Sequence, residues 1–534
     1  MKGKEEKSHY VVFVNFGECQ QVHEVLKRNP IILKAEIGLS MHEYRSFVKD
    51  NLLVLSGHIL IYLQGIILIP IIIKSVGVTI YGGYILLISA IGFLFGISSL
   101  GVSFRCKRYL PSSLDFKSRR ELFYPQLFWQ AAVILCSSLI IIFSRGFINN
   151  WLLYNKIKFV ILLAPLSLWI NMLYSQAADY FRYTGRVNYF NYATVAQPYI
   201  NIGIILFFLY SFHNLNVDLL ISAQIFSMIL ICIPLIFKIC REIGFYLPVI
   251  RIVDLAADMK LGFPLILVYL TNFIMRTSDR YIIAFFISVT AVGYYNPAYT
   301  LGSLMIFFPM VSGVVLPPLV SKAFDSGKEV EARIMINYTV KGFLLLSIPF
   351  VVGSYVMSKQ LLILLTNYEV AENAYLIVPV VAMGTIFYGL IVILSNVLFV
   401  KMKTNVTLCA NIIGAIINLV LNLVLFYIVR DIMIAALSAL VSFVVAFIFI
   451  YRNINRFWEI HFDIKVIMKS IVASILMMIS LILFSLFFQN NNRLVYILGG
   501  TMLGSIVYLF FLFIFRVFST KELAYIKGVL LHGR

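Results

Sequence analysis

Arg276, Asp279 and Arg280 stand inside a run that is otherwise apolar, LGFPLILVYLTNFIMRTSDRYIIAFFIS over Leu261–Ser288. A charge in hydrocarbon costs about 2.5–3.5 kcal/mol at mid-span, so three within one helical turn need a partner, a water-filled cavity or a ligand. Arg276 and Arg280 are one helical turn apart and share a face, with Asp279 beside them. One reading is a self-neutralising salt bridge that locks the span, which leaves one arginine over. The other is a cationic lining for an anionic group. The planar guanidinium fork binds phosphate bidentately, and a diphosphate would engage two such forks. Counted at about 1.5 Å per residue from Pro264, Arg276 lies roughly 18 Å into the span, near mid-bilayer. Asn272, one turn earlier on the same face, adds a donor.

A second polar face runs along the first apolar run, where Asn51, His58, Tyr62 and Gly65 recur at helical spacing. His58 is a candidate proton-coupling group, and Tyr62 a candidate lining residue. The alternative is a helix–helix contact made by small and polar side chains. Asp179 and Arg182 are placed for an ion pair at a membrane boundary, and Asn411, Asn418 and Asn422 for hydrogen bonds between helices. The six cysteines show no C-x-x-C spacing and the seven histidines no H-x-x-x-H pair, so no disulfide frame, metal site or cofactor is expected. No G-x-x-x-x-G-K-[ST] run occurs. Any transport must then draw on an ion gradient, the membrane potential or the substrate's own gradient.

The elements that must carry these residues follow from composition. The chain has 534 residues, 61% hydrophobic and 13% charged, against roughly 45–50% apolar in a soluble domain. The expected fold is all-α, a polytopic membrane protein. About fourteen runs reach the roughly 20 apolar residues a helix needs to span a bilayer, from Asn51–Ile73 to Leu494–Phe515. Lysines and arginines fall on one side of these spans over the other by roughly five to one. That places both termini in the cytoplasm and accounts for the net charge of +19 without a nucleic-acid partner.

The frame V-T-x-x-G-x-Y occurs at Val78–Tyr84 and again at Val289–Tyr295. Asn201 and Asn418 are each followed by a tyrosine at the same distance, Tyr210 and Tyr427. The repeat is parallel, a transporter plan with substrate bound between halves. The expected organisation is a cytoplasmic extension at 1–48, with Met41 as an alternative start. A six-helix lobe over 49–237 follows, then a cytoplasmic linker at 238–260, a second six-helix lobe over 261–451, and two further helices with a cytoplasmic tail over 452–534. The stretch Gly293-Tyr294-Tyr295-Asn296-Pro297 is expected to form a turn between two spans.

The residues support a resemblance. N-L-L-V-L-S-G at Asn51–Gly57, S-V-G-V-T-I-Y-G-G-Y at Ser75–Tyr84, S-L-G-V-S at Ser99–Ser103, S-D-R-Y-I-I-A-F-F from Ser278 and V-G-Y-Y-N-P-A-Y from Val292 occur in order. Together they resemble the polysaccharide-exporter (Wzx-type) flippases of the multidrug/oligosaccharidyl-lipid/polysaccharide exporter superfamily, over about residues 45–520. The resemblance implies two six-helix lobes that open alternately to each side of a bacterial cytoplasmic membrane. It implies a non-enzymatic function, moving an undecaprenyl-diphosphate-linked oligosaccharide between leaflets for O-antigen or capsule. The lipid bilayer, a polysaccharide polymerase and a chain-length regulator are the implied partners. The family's cationic cavity is carried onto Arg276 and Arg280. The first span lacks the arginines of the related lipid II flippases, which points away from a peptidoglycan precursor. The alternative is an ion-coupled drug or cation antiporter of the same superfamily, for which Asp279 is the intramembrane acid. A membrane polymerase would need a large outside loop that the sequence does not provide.

Overall fold

The structure is a computed structural model, and it describes residues 41–100, 106, 109–113, 115–143, 160–212, 215–246, 252–460, 462–488 and 493–517. The extension before Met41 and the tail after Val517 lie outside the described residues, as does most of Ser99–Ser103. Among the described residues the regular structure is helical throughout. The helices are α1 (Met41–Val76), α2 (Val78–Leu100), α3 (Phe116–Phe143), α4 (Val160–Tyr183), α5 (Val187–Phe212), α6 (Val217–Ile243), α7 (Ile252–Phe286) and α8 (Val289–Gly302). They continue with α9 (Phe307–Asp325), α10 (Glu329–Leu365), the short α11 (Tyr368–Ala374), α12 (Ile377–Val400), α13 (Thr404–Ile428), α14 (Met433–Ile454), α15 (Ile464–Phe488) and α16 (Arg493–Ile514). Eleven helices among the described residues are long and apolar enough to cross a membrane. The other expected spans fall on α4, α7 and the α8–α9 pair, which are helical too. Pro70, Pro165, Pro198, Pro234 and Pro349 lie inside continuous helices, as membrane bundles tolerate.

Two compact units divide the chain, Met1–Gly293 and Tyr294–Arg534. The division falls beyond the linker at which the sequence divides the lobes, so α7 belongs to the first unit. There α4 packs on α3, α5 and α6, α1 on α5, and α7 on α2. A cluster of Phe123, Tyr180, Phe181, Leu235 and Ile239 fills one end, and Ile91, Ile134, Leu168 and Met172 pack elsewhere along the same helices. Gln126 and Gln130 of α3 and Gln176 of α4 are buried together. Gln126 Nε2 donates to Gln176 Oε1 at 2.6 Å, and Gln176 Nε2 to Gln130 Oε1 at 2.5 Å. Polar groups inside apolar surroundings must find one another, and this ladder fastens α3 to α4.

In the second unit α12 lies between α9, α10 and α14, and α15 pairs with α16 against α10. α12 is apolar all round because it is covered on most sides. The Tyr508 hydroxyl donates to Leu345 O at 2.7 Å and shares a second 2.7 Å bond with the Ser470 hydroxyl, tying α16 to α10 and α15. α10 starts at Glu329, well before the apolar run at Gly342. At about 1.5 Å per residue, its 37 residues far exceed a hydrocarbon core of about 30 Å. Its charged first turns therefore project beyond the core.

The repeated V-T-x-x-G-x-Y motif meets its own copy. Thr79 Oγ1 and Thr290 Oγ1 lie 2.8 Å apart. A Cβ on Gly82 would stand 2.2 Å from Val289 O, and one on Gly293 would stand 2.3 Å from Val78 O. The two glycines thus let the starts of α2 and α8 touch backbone to backbone, reciprocally. Asn201 and Asn418 are both buried, and the tyrosines that follow them are exposed alike, Tyr210 at 82% and Tyr427 at 83%.

The expected turn at Gly293–Pro297 is instead part of α8. The chain breaks earlier, at Ile287–Ser288. There Ser288 Oγ accepts from the backbone N–H of Ala291 at 3.1 Å, an N-cap that starts α8. The run is then interrupted by a 3-10 segment at Ser303–Ile306. Pro309 cannot donate the helical bond to Met305 O, and the tighter turn before it accommodates that loss.

Candidate functional site

Asn272, Arg276, Asp279 and Arg280 lie together on α7, and burial separates them. Asp279 is fully buried and Arg280 is 9% exposed, while Arg276 and Asn272 are half-buried. Arg280 Nη1 donates to the carbonyl oxygen of Arg276 at 2.9 Å, and Asn272 Nδ2 to that of Val268 at 2.8 Å. Arg280 thus folds back on its own helix, and Arg276 is the more accessible of the two arginines.

Neutral groups also fix the helix. The Tyr269 hydroxyl donates to Gly92 O at 2.8 Å, and the Tyr281 hydroxyl to Leu86 O at 3.0 Å. The Phe273 ring meets Phe93 at 4.4 Å between centroids. Gly96 makes room: a Cβ there would lie 2.1 Å from the Tyr269 ring. These contacts bind α7 to α2 on both sides of the charged turn.

His58 and Tyr62 are half-buried on α1, apart from α7 in sequence but on a helix that also touches α2. α1 is seated on α5 at Gly57, where a Cβ would lie 2.1 Å from Asn191 Oδ1. The Tyr199 hydroxyl also donates to Leu60 O at 3.0 Å. A Cβ on Gly65 would meet nothing within 4 Å, so the His58–Tyr62–Gly65 face opens at that point. His58 is within electrostatic range of Arg182, whose guanidinium lies 5.0 Å from the Phe190 ring centroid. The Asn51 side chain lies outside those described.

Sequence reasoning missed a second charged cluster. Glu242, near the end of α6, accepts from Arg119 of α3 at 3.1 Å and from Arg186, just before α5, at 2.6 Å. The Tyr180 hydroxyl of α4 donates to the same carboxylate at 3.0 Å. The Arg186 guanidinium also rests 4.7 Å from the Phe181 ring centroid. Four segments are joined at one carboxylate. Beside it, Asp115 accepts from the Ser118 N–H at 3.0 Å at the start of α3, and hydrogen bonding from Ser118 holds its carboxyl below the usual range. The second unit has a smaller analogue: Lys401 Nζ pairs with Glu329 at 3.2 Å and lies 4.3 Å from the Phe324 ring centroid. No group of three or more potential metal ligands occurs among the described residues.

Long helices in two units, one of them holding a charged turn within its apolar run, define a membrane transporter fold. Solved structures agree. The chain is similar to a lipid II flippase MurJ in an inward closed conformation, at 18% identity and a TM-score of 0.69, over 88% of this chain and 99% of that one. It is similar to an inward-facing multidrug resistance MATE family transporter of the MOP superfamily, at 13% identity and a TM-score of 0.60, over 74% and 95%. A MOP superfamily transporter from Pyrococcus furiosus, described as having a binding pocket of reversed polarity, matches at 14% identity and a TM-score of 0.54, over 77% and 95%. No curated protein matches by sequence. The MatE family model matches residues 264–424. The model of the polysaccharide biosynthesis protein family matches residues 47–324, just over half the chain, and the chain belongs to that family.

Proposed function

We propose that this protein is a flippase that moves an undecaprenyl-diphosphate-linked oligosaccharide repeat unit across the bacterial cytoplasmic membrane by alternating access. The product would feed O-antigen, capsule or a related surface polysaccharide, with a polymerase and a chain-length regulator downstream. Both termini lie in the cytoplasm, as the distribution of lysines and arginines requires. The single observation that carries the reading is Arg276: a half-buried guanidinium within an apolar run, on a helix that two tyrosine hydroxyls tie to α2. A diphosphate is the ligand such a group suits. Asn272 adds a donor, Asp279 and Arg280 set the local field, and His58 and Tyr62 line the approach from α1. Membership of a polysaccharide biosynthesis family and a fold shared with a lipid II flippase support it.

The antiporter reading draws on the MatE match. It needs an acid that a cation can reach, and Asp279 is fully buried. The test is reconstitution in liposomes with a fluorescent polyprenyl-diphosphate-linked sugar added to one leaflet. The wild-type protein should carry the label to the other leaflet and the Arg276→Ala protein should not. Equal transfer by both would remove the diphosphate role, and coupled efflux of an organic cation would favour the antiporter.

A further inference from the structure

The second unit holds a basic cavity that the proposed transport does not use. Its volume is about 570 Å³, and it lies between the start of α10, the start of α15 and the residues after α16. Lys341, Lys465, Lys469 and Arg516 line it, with Asp463 as the one acid among its lining residues. Asp463 is engaged elsewhere: its Oδ1 accepts from the Val466 N–H at 3.1 Å and caps α15. Lys465, Lys469 and Arg516 make no ion pair among the described residues. The wall below is apolar, built from Leu344, Leu345 and Ile348 of α10. Asn337 Oδ1 is buried in this lining with no hydrogen-bond partner among the described residues. Ile334, Tyr338, Ile464 and Met468 stand exposed around it.

The arrangement has a direction: cations at the rim, hydrocarbon wall beneath, and exposed apolar side chains alongside. A water-soluble anion would leave the apolar wall unused, and a neutral lipid would leave the cations unanswered. The chain that follows Val517 is a poor counter-charge, since it carries Lys521, Lys527 and Arg534 against Glu522 alone. We infer that this cavity binds the headgroup of an anionic glycerophospholipid, with the phosphodiester among Lys465, Lys469 and Arg516 and the acyl chains along α10. The glycerol hydroxyls of phosphatidylglycerol would supply the donor that Asn337 Oδ1 lacks. The site is separate from Arg276, which lies in the other unit, and stands whether or not the flippase reading does.

The test titrates the purified full chain, delipidated in a neutral maltoside, with phosphatidylglycerol, phosphatidylcholine and inorganic phosphate, read by native mass spectrometry. Basic side chains at an anionic headgroup each contribute about fivefold in affinity. Phosphatidylglycerol should therefore bind at least about tenfold more tightly than phosphatidylcholine. The variant K465Q/K469Q/R516Q should lose that preference, and K465R/K469R, which keeps the charge, should retain it. Should the triple variant fail to fold, K469Q alone carries the test, with binding about fivefold weaker. Arg276→Gln should leave lipid binding unchanged, which keeps the result distinct from that of the transport assay. Equal affinity for the two lipids, or an unchanged preference in the neutralised variants, would overturn the site. Displacement of the lipid by millimolar inorganic phosphate would overturn the assignment to a lipid.

Discussion

Two charged clusters in the first unit use the same residue types to opposite ends. At Glu242 the charges come from separate segments: Arg119 on α3, Arg186 before α5, the Tyr180 hydroxyl on α4 and the carboxylate on α6. Within the apolar part of α7 the charges come from one helical turn, and one of them bonds that helix's own backbone. The first arrangement fastens helices together. The second sits on a helix that the neutral hydroxyls of Tyr269 and Tyr281 also tie to α2. Convergence from several helices marks a structural charge. A half-buried charge at mid-span bears a cost in hydrocarbon that a ligand in an aqueous cavity would offset.

The largest expected effect on transport is at Arg276. If Arg276 holds the diphosphate as proposed, Arg276→Ala removes two charge-assisted hydrogen bonds to it, about 3 kcal/mol together. Transport should fall about a hundredfold, while membrane abundance and the melting temperature hold. A melting temperature that falls with activity would erase the contrast with Glu242. Asp279 tests the division within the turn itself. It is fully buried beside two arginines, so Asp279→Asn should destabilise the protein by about 3–5 kcal/mol, and Asp279→Lys should remove it from the membrane. A stable, inactive Asp279→Asn protein would instead place this carboxylate in the transport step.

Glu242→Ala should give the inverse of Arg276→Ala. Its partners are partly exposed, so the loss lies between the surface and buried limits, about 1–3 kcal/mol. Thermal unfolding should show it, and transport per folded molecule should be unchanged. A normal melting temperature with lost transport would make the cluster a moving part rather than a staple.

Much of this was legible in the sequence. Length and apolarity fix the spans, because a helix must bury its backbone polar groups to cross hydrocarbon. The V-T-x-x-G-x-Y repeat was visible as a pattern, although not that Gly82 and Gly293 would touch each other's helices. The Glu242 cluster was illegible, since its members lie far apart along the chain and each resembles an ordinary loop charge. The start of α8 was misplaced because Gly-Tyr-Tyr-Asn-Pro carries turn residues, while Ser288, a stronger N-cap, sits just before it. The burial of Arg280 was hidden too, because helical spacing gives a face but not what covers it.

The smallest effect is the most direct check on the comparison. If neutral hydroxyls hold α7, then Tyr269→Phe and Tyr281→Phe should each destabilise the protein by about 0.6 kcal/mol, the average for an interhelical hydrogen bond in a membrane. Phenylalanine keeps the ring of residue 269 against Gly96 and that of residue 281 near Phe273, so only the hydroxyl is tested. The carbonyls of Gly92 and Leu86 lie within a helix and keep their main-chain bonds, so no buried acceptor is orphaned. The two tyrosines are separated by about 18 Å along α7, far enough for their effects to add. Thermal unfolding of the double variant should therefore show the sum of the two single losses. A loss well above that sum would mean that either tyrosine alone suffices to hold the helix. No loss at all would return the task of anchoring α7 to its charges, and with it the self-neutralising reading of Arg276.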